Sequence, residues 1–444
     1  MKNAKLSKLW DALHSSYWFL PSIMVVAAIA LAFGMLVVDR TTNGSLGNLG
    51  WLYSGGPDGA RALLSAVSGS MITVTATAFS ITIVALQLAA SNFGPRLLRN
   101  FMQDTGNQIV LGTFLGTFVY CLLILRTVRG EDYALFVPHL STTVAVVLAI
   151  ASVGTLIYFI HHASTIIQAS QVIMGVSADL DDAIARLFPE EIGVTPKQRH
   201  IGEIPANFDT EAHSVGAKKT GYLQAIDDQK LMKIACRHNL LVWIRSRPGK
   251  FVVEGNQLIM LHPKDKASHK LVEQLNDVFI IGRERTEQQD VEFPIDQLVE
   301  VALRAISPAV NDPFTAIRCI DRLSAGLAQL VQRNFPSPYR YDDRGDLRVI
   351  AEGVTFEELA DSAFSQIRRY AQSDAAVTLR LLDAIALILT HTNNPKYQVI
   401  LQHHAEMIQR GSCEGLSEPQ DREVVKRRYS SVVTLSKQHH SHDK

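Results

Sequence analysis

The sequence predicts an α-helical membrane protein with four transmembrane helices and a cytoplasmic α+β region, a small β-rich module followed by a helical domain. Three observations carry that prediction. Four apolar runs near the N-terminus are each long enough to cross a hydrocarbon core of about 30 Å. Hydrophobic residues make up 47% of the 444 and are concentrated in the first 165. Beyond that point the pattern changes to short strands and then to amphipathic helices.

The first 16 residues carry Lys2, Lys5 and Lys8 and read as an amphipathic lead-in. The first span, 17–38, opens on Tyr17 and Trp18, as an interfacial aromatic belt would. A basic start before an apolar run also describes a signal peptide. This run is long and no A-x-A-like site follows it, so a retained span is expected. The loop to residue 62 has balanced charge, with Trp51 and Tyr53 as interface anchors. The second span covers 63–92. The third, 108–125, carries Gly112 and Gly116 at GxxxG spacing, a close-packing face. The fourth, 137–160, ends just before His161 and His162. Three N-terminal lysines and Arg96 with Arg99 between spans two and three favour both termini in the cytoplasm. Two arginines in each outer loop make that bias modest.

The second span, LLSAVSGSMITVTATAFSITIVALQLAASN, has no charged residue and many hydroxyls. Ser70, Thr73, Thr77, Ser80, Val84, Gln87 and Ser91 follow alternating steps of three and four, which places them on one seam of a helix. Ser68, Thr75 and Thr82 recur every seventh residue and are expected on a neighbouring seam; Ile72, Phe79, Ile83 and Leu86 are expected on the opposite side. Such a seam either packs against another helix or lines a water-filled path. Gly94-Pro95 ends the helix, and Arg96 and Arg99 put positive charge at its inner mouth, where they favour anions or anchor the span.

After the spans, 166–217 reads as a helical extension of the fourth helix and a linker, with Phe188-Pro189 ending the helix. A β-rich module is expected over 218–264, with strands at 221–226, 240–245, 251–253 and 257–261 and a helix at 228–238. Its run GKFVVEGNQL resembles the hairpin of biotinyl/lipoyl-type modules but lacks their attachment lysine, so no swinging cofactor is implied. A helical domain fills 265–411, with a loop at 336–346 followed by a short strand in LRVIA, and a charged, mobile tail is expected over 412–444.

Within the helical domain, SPAVNDPFTA joins two helices. Asp312 suits an N-cap and Pro313 the first helical position. With Arg304 and Arg318 nearby in sequence, free amides at that helix start could hold an anion, unless Asn311 and Asp312 already occupy them as caps. Arg283, Glu284, Arg285 and Glu287 read as a solvated charged stretch.

Several function classes are excluded. Zero net charge and the absence of a basic domain argue against a nucleic-acid partner. Cys121, Cys236, Cys319 and Cys413 form no CxxC, as suits a reducing compartment with no disulfide or zinc site. The adjacent pairs His161-His162 and His403-His404 point about 100° apart on a helix, so neither makes a metal site. The C-terminal His439, His440 and His442 read as part of the mobile tail. No GxSxG, Walker, HExxH or dinucleotide fingerprint stands in a suitable context. No catalytic residue, metal or cofactor is expected, and the chain is not expected to be an enzyme. No ionisable residue interrupts a span, which disfavours a coupled transporter.

The stretches SGSMITVTATAFSITIVALQLAASNFGPRLLRNFMQDTGNQIVLGTFLGTFVYCLLILRTVR, FVPHLS and RAISPAVNDPFTAIRCIDRL resemble the DUF2254 family of bacterial predicted membrane proteins. The resemblance covers nearly the whole chain. It implies a bacterial inner-membrane location and the same division into four spans and a cytoplasmic part, and it carries over no activity. The expected function is a homo-oligomeric pore or ion-channel-like protein, its path lined by the second helix and its cytoplasmic region assembling and gating the subunits. Its partners would be the bilayer, further copies of itself and an ion or small solute. The alternative is a membrane-anchored sensor or scaffold that binds a partner through its cytoplasmic domain.

Overall fold

The computed structural model describes residues 17–42, 53–94, 104–129, 136–166, 168–188, 204–205 and 207–441. The chain divides into two compact units, Met1–Gln171 and Val172–Lys444.

The first unit contains α1 (Phe19–Thr42), α2 (Pro57–Phe93), α3 (Thr105–Leu125) and α4 (His139–Ile166). All four are long and apolar enough to cross a membrane. At about 1.5 Å per residue α2 is roughly 55 Å long, well beyond a hydrocarbon core of about 30 Å. The hub is α3, which packs against each of the other three helices. Its two spaced glycines explain how. A Cβ on Gly112 would lie 2.4 Å from Met24 Sδ and 3.1 Å from Met24 Cβ, and one on Gly116 would lie 3.4 Å from Ala28 Cβ. Met24 and Ala28 are one turn apart on α1, so the two helices meet almost backbone to backbone, as the GxxxG spacing predicts. On the same helix Phe114, between the two glycines, and Tyr120 and Ile124, beyond them, are fully buried.

Carboxylates tie the helix ends. Asp39, near the end of α1, accepts hydrogen bonds from the Leu140 and Ser141 amides at 3.0 and 2.9 Å and from the Ser141 hydroxyl at 2.5 Å. It thereby caps the start of α4 from another helix. Asp104 caps α3 through the Gly106 amide at 2.9 Å and also meets His162 Nε2 of α4 at 2.5 Å. The His162 ring stacks on Tyr158.

The fourth span does not run on unbroken. α4 ends at Ile166, and the next helix, α5 (Ala169–Leu187), starts afresh. The Thr165 hydroxyl bonds back to the carbonyls of His161 and His162, which competes with the helical ladder.

The second unit holds α5, six further long helices and two sheets. The strands are β1 (His213–Gly216), β2 (Gly221–Ile226), β3 (Leu241–Ile244), β4 (Phe251–Val252), β5 (Gln257–His262), β6 (Phe279–Gly282), β7 (Tyr339–Tyr341) and β8 (Leu347–Ala351). The five-stranded sheet has the order β1-β5-β3-β8-β7, and the three-stranded sheet β4-β2-β6. Every pairing is antiparallel except β3 with β8. The helix α6 (Asp228–His238), found at its expected limits, and α7 (His269–Asn276) cover a core shared by both sheets, with Leu223, Val242, Ile259, Leu275 and Val349 among its members.

Four expectations change here. The β-rich region is not confined to 218–264, because β1, β6 and β7 lie outside it and the strand expected in LRVIA, β8, joins its five-stranded sheet; β7 falls within the expected loop at 336–346. The run GKFVVEGNQL is not a paired hairpin: its strand β4 bonds to β2 and its strand β5 to β1 and β3, so the segment crosses from one sheet to the other. Gly249 and Gly255, both at positive φ (89° and 83°), flank β4 on that crossing. Arg285 is not solvated. It bridges Asp290 at 2.7 Å and Asp296 at 2.6 Å and stacks on Phe293. The expected mobile tail carries a helix, Pro419–Ser441, with Val425 and Val432 fully buried, because spaced apolar side chains hide among the charges.

The helical part is built from α8 (Glu292–Ala305), α9 (Pro313–Leu330), α10 (Phe356–Tyr370), α11 (Ala375–Leu389), α12 (Pro395–Gly415) and α13 (Pro419–Ser441). α5 seats Leu180 and Ile184 against Gly326 of α9, where an added Cβ would lie 2.7 Å from Leu180.

Candidate functional site

The strongest functional signal in the sequence lies on α2, and the structure sorts its residues sharply. Ser70, Thr73, Thr77, Ser80, Val84, Gln87 and Ser91 are all exposed. Ser68, Thr75 and Thr82 are all buried, together with Leu64, Met71 and Ala78. At about 100° per residue, these two series lie on roughly opposite sides of the helix rather than on neighbouring seams. The seven-residue seam therefore points away from the other helices of its own subunit. The expected apolar back is also different. Ile72 and Ile83 are exposed, while Phe79 and Leu86 are half-buried along the border of the contact strip. α2 has three strips rather than two faces: a buried one, an apolar exposed one and a hydroxyl-bearing exposed one.

The hydroxyls on the exposed seam are turned inward. Ser70 donates to Ala66 O at 2.7 Å, Thr73 to Gly69 O at 2.9 Å, Thr77 to Thr73 O at 3.0 Å, Ser80 to Ala76 O at 2.9 Å and Ser91 to Leu88 O at 2.9 Å. Each hydroxyl proton is thus spent on the helix's own carbonyls, and what the oxygens offer outward is lone pairs. Gln87 differs: its carboxamide is exposed and has no hydrogen-bond partner among the described residues. Arg96 and Arg99, expected at an inner mouth, lie outside the described residues.

The bend at Asn311-Asp312 resolves in favour of capping. Asp312 accepts the Thr315 amide at 3.1 Å and the Thr315 hydroxyl at 2.6 Å, and its own amide donates to Ala305 O at 2.7 Å. Asn311 takes φ of 51° to turn the chain. The amide an anion would need is therefore occupied by Asp312. Arg304 pairs with Glu300 at 3.5 Å, and Arg318 is exposed on the second turn of α9. Among the described residues, no group of three or more His, Cys, Asp or Glu side chains is placed to hold a metal. His404 is buried beside Asp361 at 3.3 Å, whereas His403 is exposed.

Sequence reasoning missed a cavity of about 910 Å³ in the second unit. Its walls come from the end of α5, the start of α6, the Arg247-Pro248 turn, the entry to α8 and the β7 and β8 region. No local motif announces it, because its lining comes from segments more than a hundred residues apart in sequence. Arg247 stands between it and a smaller cavity of about 300 Å³. That guanidinium is clamped by Glu292 at 2.9 Å and Glu358 at 2.8 Å. Although burial pulls its pKa down, the two carboxylates outweigh burial and hold it above the usual arginine value. The carboxyl of Asp290 is pushed up by burial, against the pull of Arg285.

The family model DUF2254, described as a predicted membrane protein, matches residues 14–386. Uncharacterised proteins of Mycobacterium bovis and Mycobacterium tuberculosis are 31% identical to the chain over 420 residues, covering 94% of this chain and 80% of theirs. No solved structure matches.

Proposed function

The chain belongs to the DUF2254 family of predicted membrane proteins, and we propose that it acts as a homo-oligomeric pore of the bacterial inner membrane, with both termini in the cytoplasm. The observation that supports this reading is the outward seam of α2. In an isolated subunit, hydroxyl oxygens and the Gln87 carboxamide would face acyl chains that cannot hydrogen-bond to them. Copies arranged around a symmetry axis would turn those groups toward a shared water-filled path. Four helices per subunit are too few to enclose a wide path, so the path is shared. Small side chains at Ser70, Thr73, Thr77 and Ser80 leave room along it. The second unit assembles the subunits and gates the path, which carries an ion or small solute. No catalytic step is assigned.

A second reading draws on a different observation. Because the seam hydroxyls are already bonded to their own helix, the face is tolerable in lipid, and the protein would then be a membrane-anchored sensor or scaffold. Purified full-length protein in planar bilayers separates the two. The pore conducts, and Thr77→Phe and Ser80→Phe each block it. Silence from well-folded oligomers, or conductance indifferent to both substitutions, overturns the pore in favour of the scaffold, whose partner binding would then depend on the Asn311-Asp312 bend.

A further inference from the structure

The cavity of the second unit is not explained by a pore. At about 910 Å³ it lies within the range of sites for small molecules, roughly 300–1,000 Å³. Most of its wall is aliphatic, with Ile226, Leu231, Met232, Ile244 and Val349 from both sheets and α6. The space opens to solvent past Asp228, Lys233 and Glu352, so a solute can enter it.

The charges around it are unequal in their commitments. Two lining carboxylates are already neutralised: Asp290 by Arg285 at 2.7 Å, and Glu292 by Arg247 at 2.9 Å and Lys250 at 3.0 Å. Two others, Asp228 and Glu352, are exposed at the rim. Against them stand three cations, Arg186, Lys233 and Arg340. None of the three has a carboxylate within ion-pair distance among the described residues, and only Arg340 is half-buried. The Arg340 guanidinium is steered by the carbonyls of Ser337 and Tyr339, in a loop stiffened by Pro336 and Pro338. Uncharged carbonyls orient a guanidinium without cancelling its charge. Burial draws its pKa below the usual arginine value against the opposing influence of Asp228, the mark of a cation short of solvent.

From this geometry we infer that the cavity is a binding site for a small molecule with an apolar body and one anionic group, a carboxylate or a phosphate. The apolar body lies along the partly exposed Ile226, Met232 and Val354, and the anion meets Arg340, with Lys233 of α6 at the rim. The planar guanidinium suits either oxyanion. One wall is formed by Arg186 to Phe188, the end of α5, which is the helix following the fourth span in the chain.

The test uses full-length protein in lipid nanodiscs, with empty nanodiscs subtracted, and equilibrium dialysis of four related probes. These are 2-naphthoate, 2-naphthyl phosphate, 2-naphthylmethanol and 2-naphthylmethylamine. Saturable binding of one or both anions, at least tenfold tighter than the alcohol and the amine, is the expected result, and the better anion identifies the head group. Arg340→Gln should weaken the anion by tenfold or more and leave the alcohol unchanged. Arg340→Lys should restore part of the loss, and Met232→Trp, at a partly exposed lining position, should abolish binding by filling the space. Should Arg340→Gln not fold, Lys233→Gln at the exposed rim should still reduce anion preference severalfold. No saturable binding, equal binding of anion and amine, or indifference to the loss of positive charge overturns the assignment.

Discussion

Thr75 and Thr77 are two residues apart on α2 and face opposite ways. Thr75 is 8% exposed and donates to Met71 O at 2.6 Å, inside the helix contact; Thr77 donates to Thr73 O at 3.0 Å and is exposed. Enlarging the two has unequal consequences. Thr75→Leu overpacks a closed interface and should cost about 1–3 kcal/mol, lowering the melting temperature in detergent. Thr77→Leu should leave melting nearly unchanged. Equal effects would show that the two strips are not distinct.

The same partition predicts chemical access. In protein with the exposed Cys236 and Cys413 replaced by Ser, Thr73→Cys, Thr77→Cys and Ser80→Cys in a membrane pore should react with a membrane-impermeant methanethiosulfonate. Thr75→Cys and Thr82→Cys should not. A lipid-facing seam would protect all five.

Asp39→Ala should destabilise the first unit by about 1–2 kcal/mol, because it strips a cap from the start of α4. Asp39→Asn should cost less, since an amide oxygen can still accept one of the bonds. Thermal melting of the solubilised protein reads both. Gly112→Leu should be more damaging than either, because Met24 Cβ lies 3.1 Å from where the new Cβ would sit. Gly34→Ala, with open space around it, is the matched control.

His404 gives a pH dependence. Burial lowers its pKa to about 4, against the pull of Asp361 at 3.3 Å and with the help of His403 and Arg368. The unfolded chain takes up this proton near pH 6.5 and the folded one only near 4, so stability is full above about pH 6.5 and falls as pH drops toward 4. The loss attributable to this group is about 3 kcal/mol. Melting of the full-length protein at pH 7.5 and 4.5 should therefore show a drop that shrinks in His404→Gln. An identical drop in both would remove His404 as the cause.

The four spans, the helix at 228–238 and the capped start at Pro313 were legible because each rests on local chemistry: apolar length, periodicity and a side-chain cap. The seam on α2 was legible as a spacing, and its direction was not. Periodicity defines strips on a helix, but a Thr that bonds to its own backbone is equally at home buried or exposed, so composition cannot say which strip faces inward. The sheets were harder still. β3 reads as a strand from LVWI, yet nothing in those residues indicates that Val242 lies beside Val349. The cavity follows from that pairing and was invisible for the same reason.

The parallel pair β3 and β8 also bears on how the protein is made. Val242 leaves the ribosome about a hundred residues before Val349 exists. At roughly 5–20 residues per second, the nascent chain holds one edge of β3 open for several seconds while α8 and α9 are being synthesised. Throughout that interval the four apolar helices are already translated. An unpaired strand edge on a nascent chain is a hazard for wrong pairing with a neighbouring nascent copy. The five-stranded sheet can close only after β8 emerges, so translation through residue 351 sets the earliest moment at which β3 gains its second neighbour.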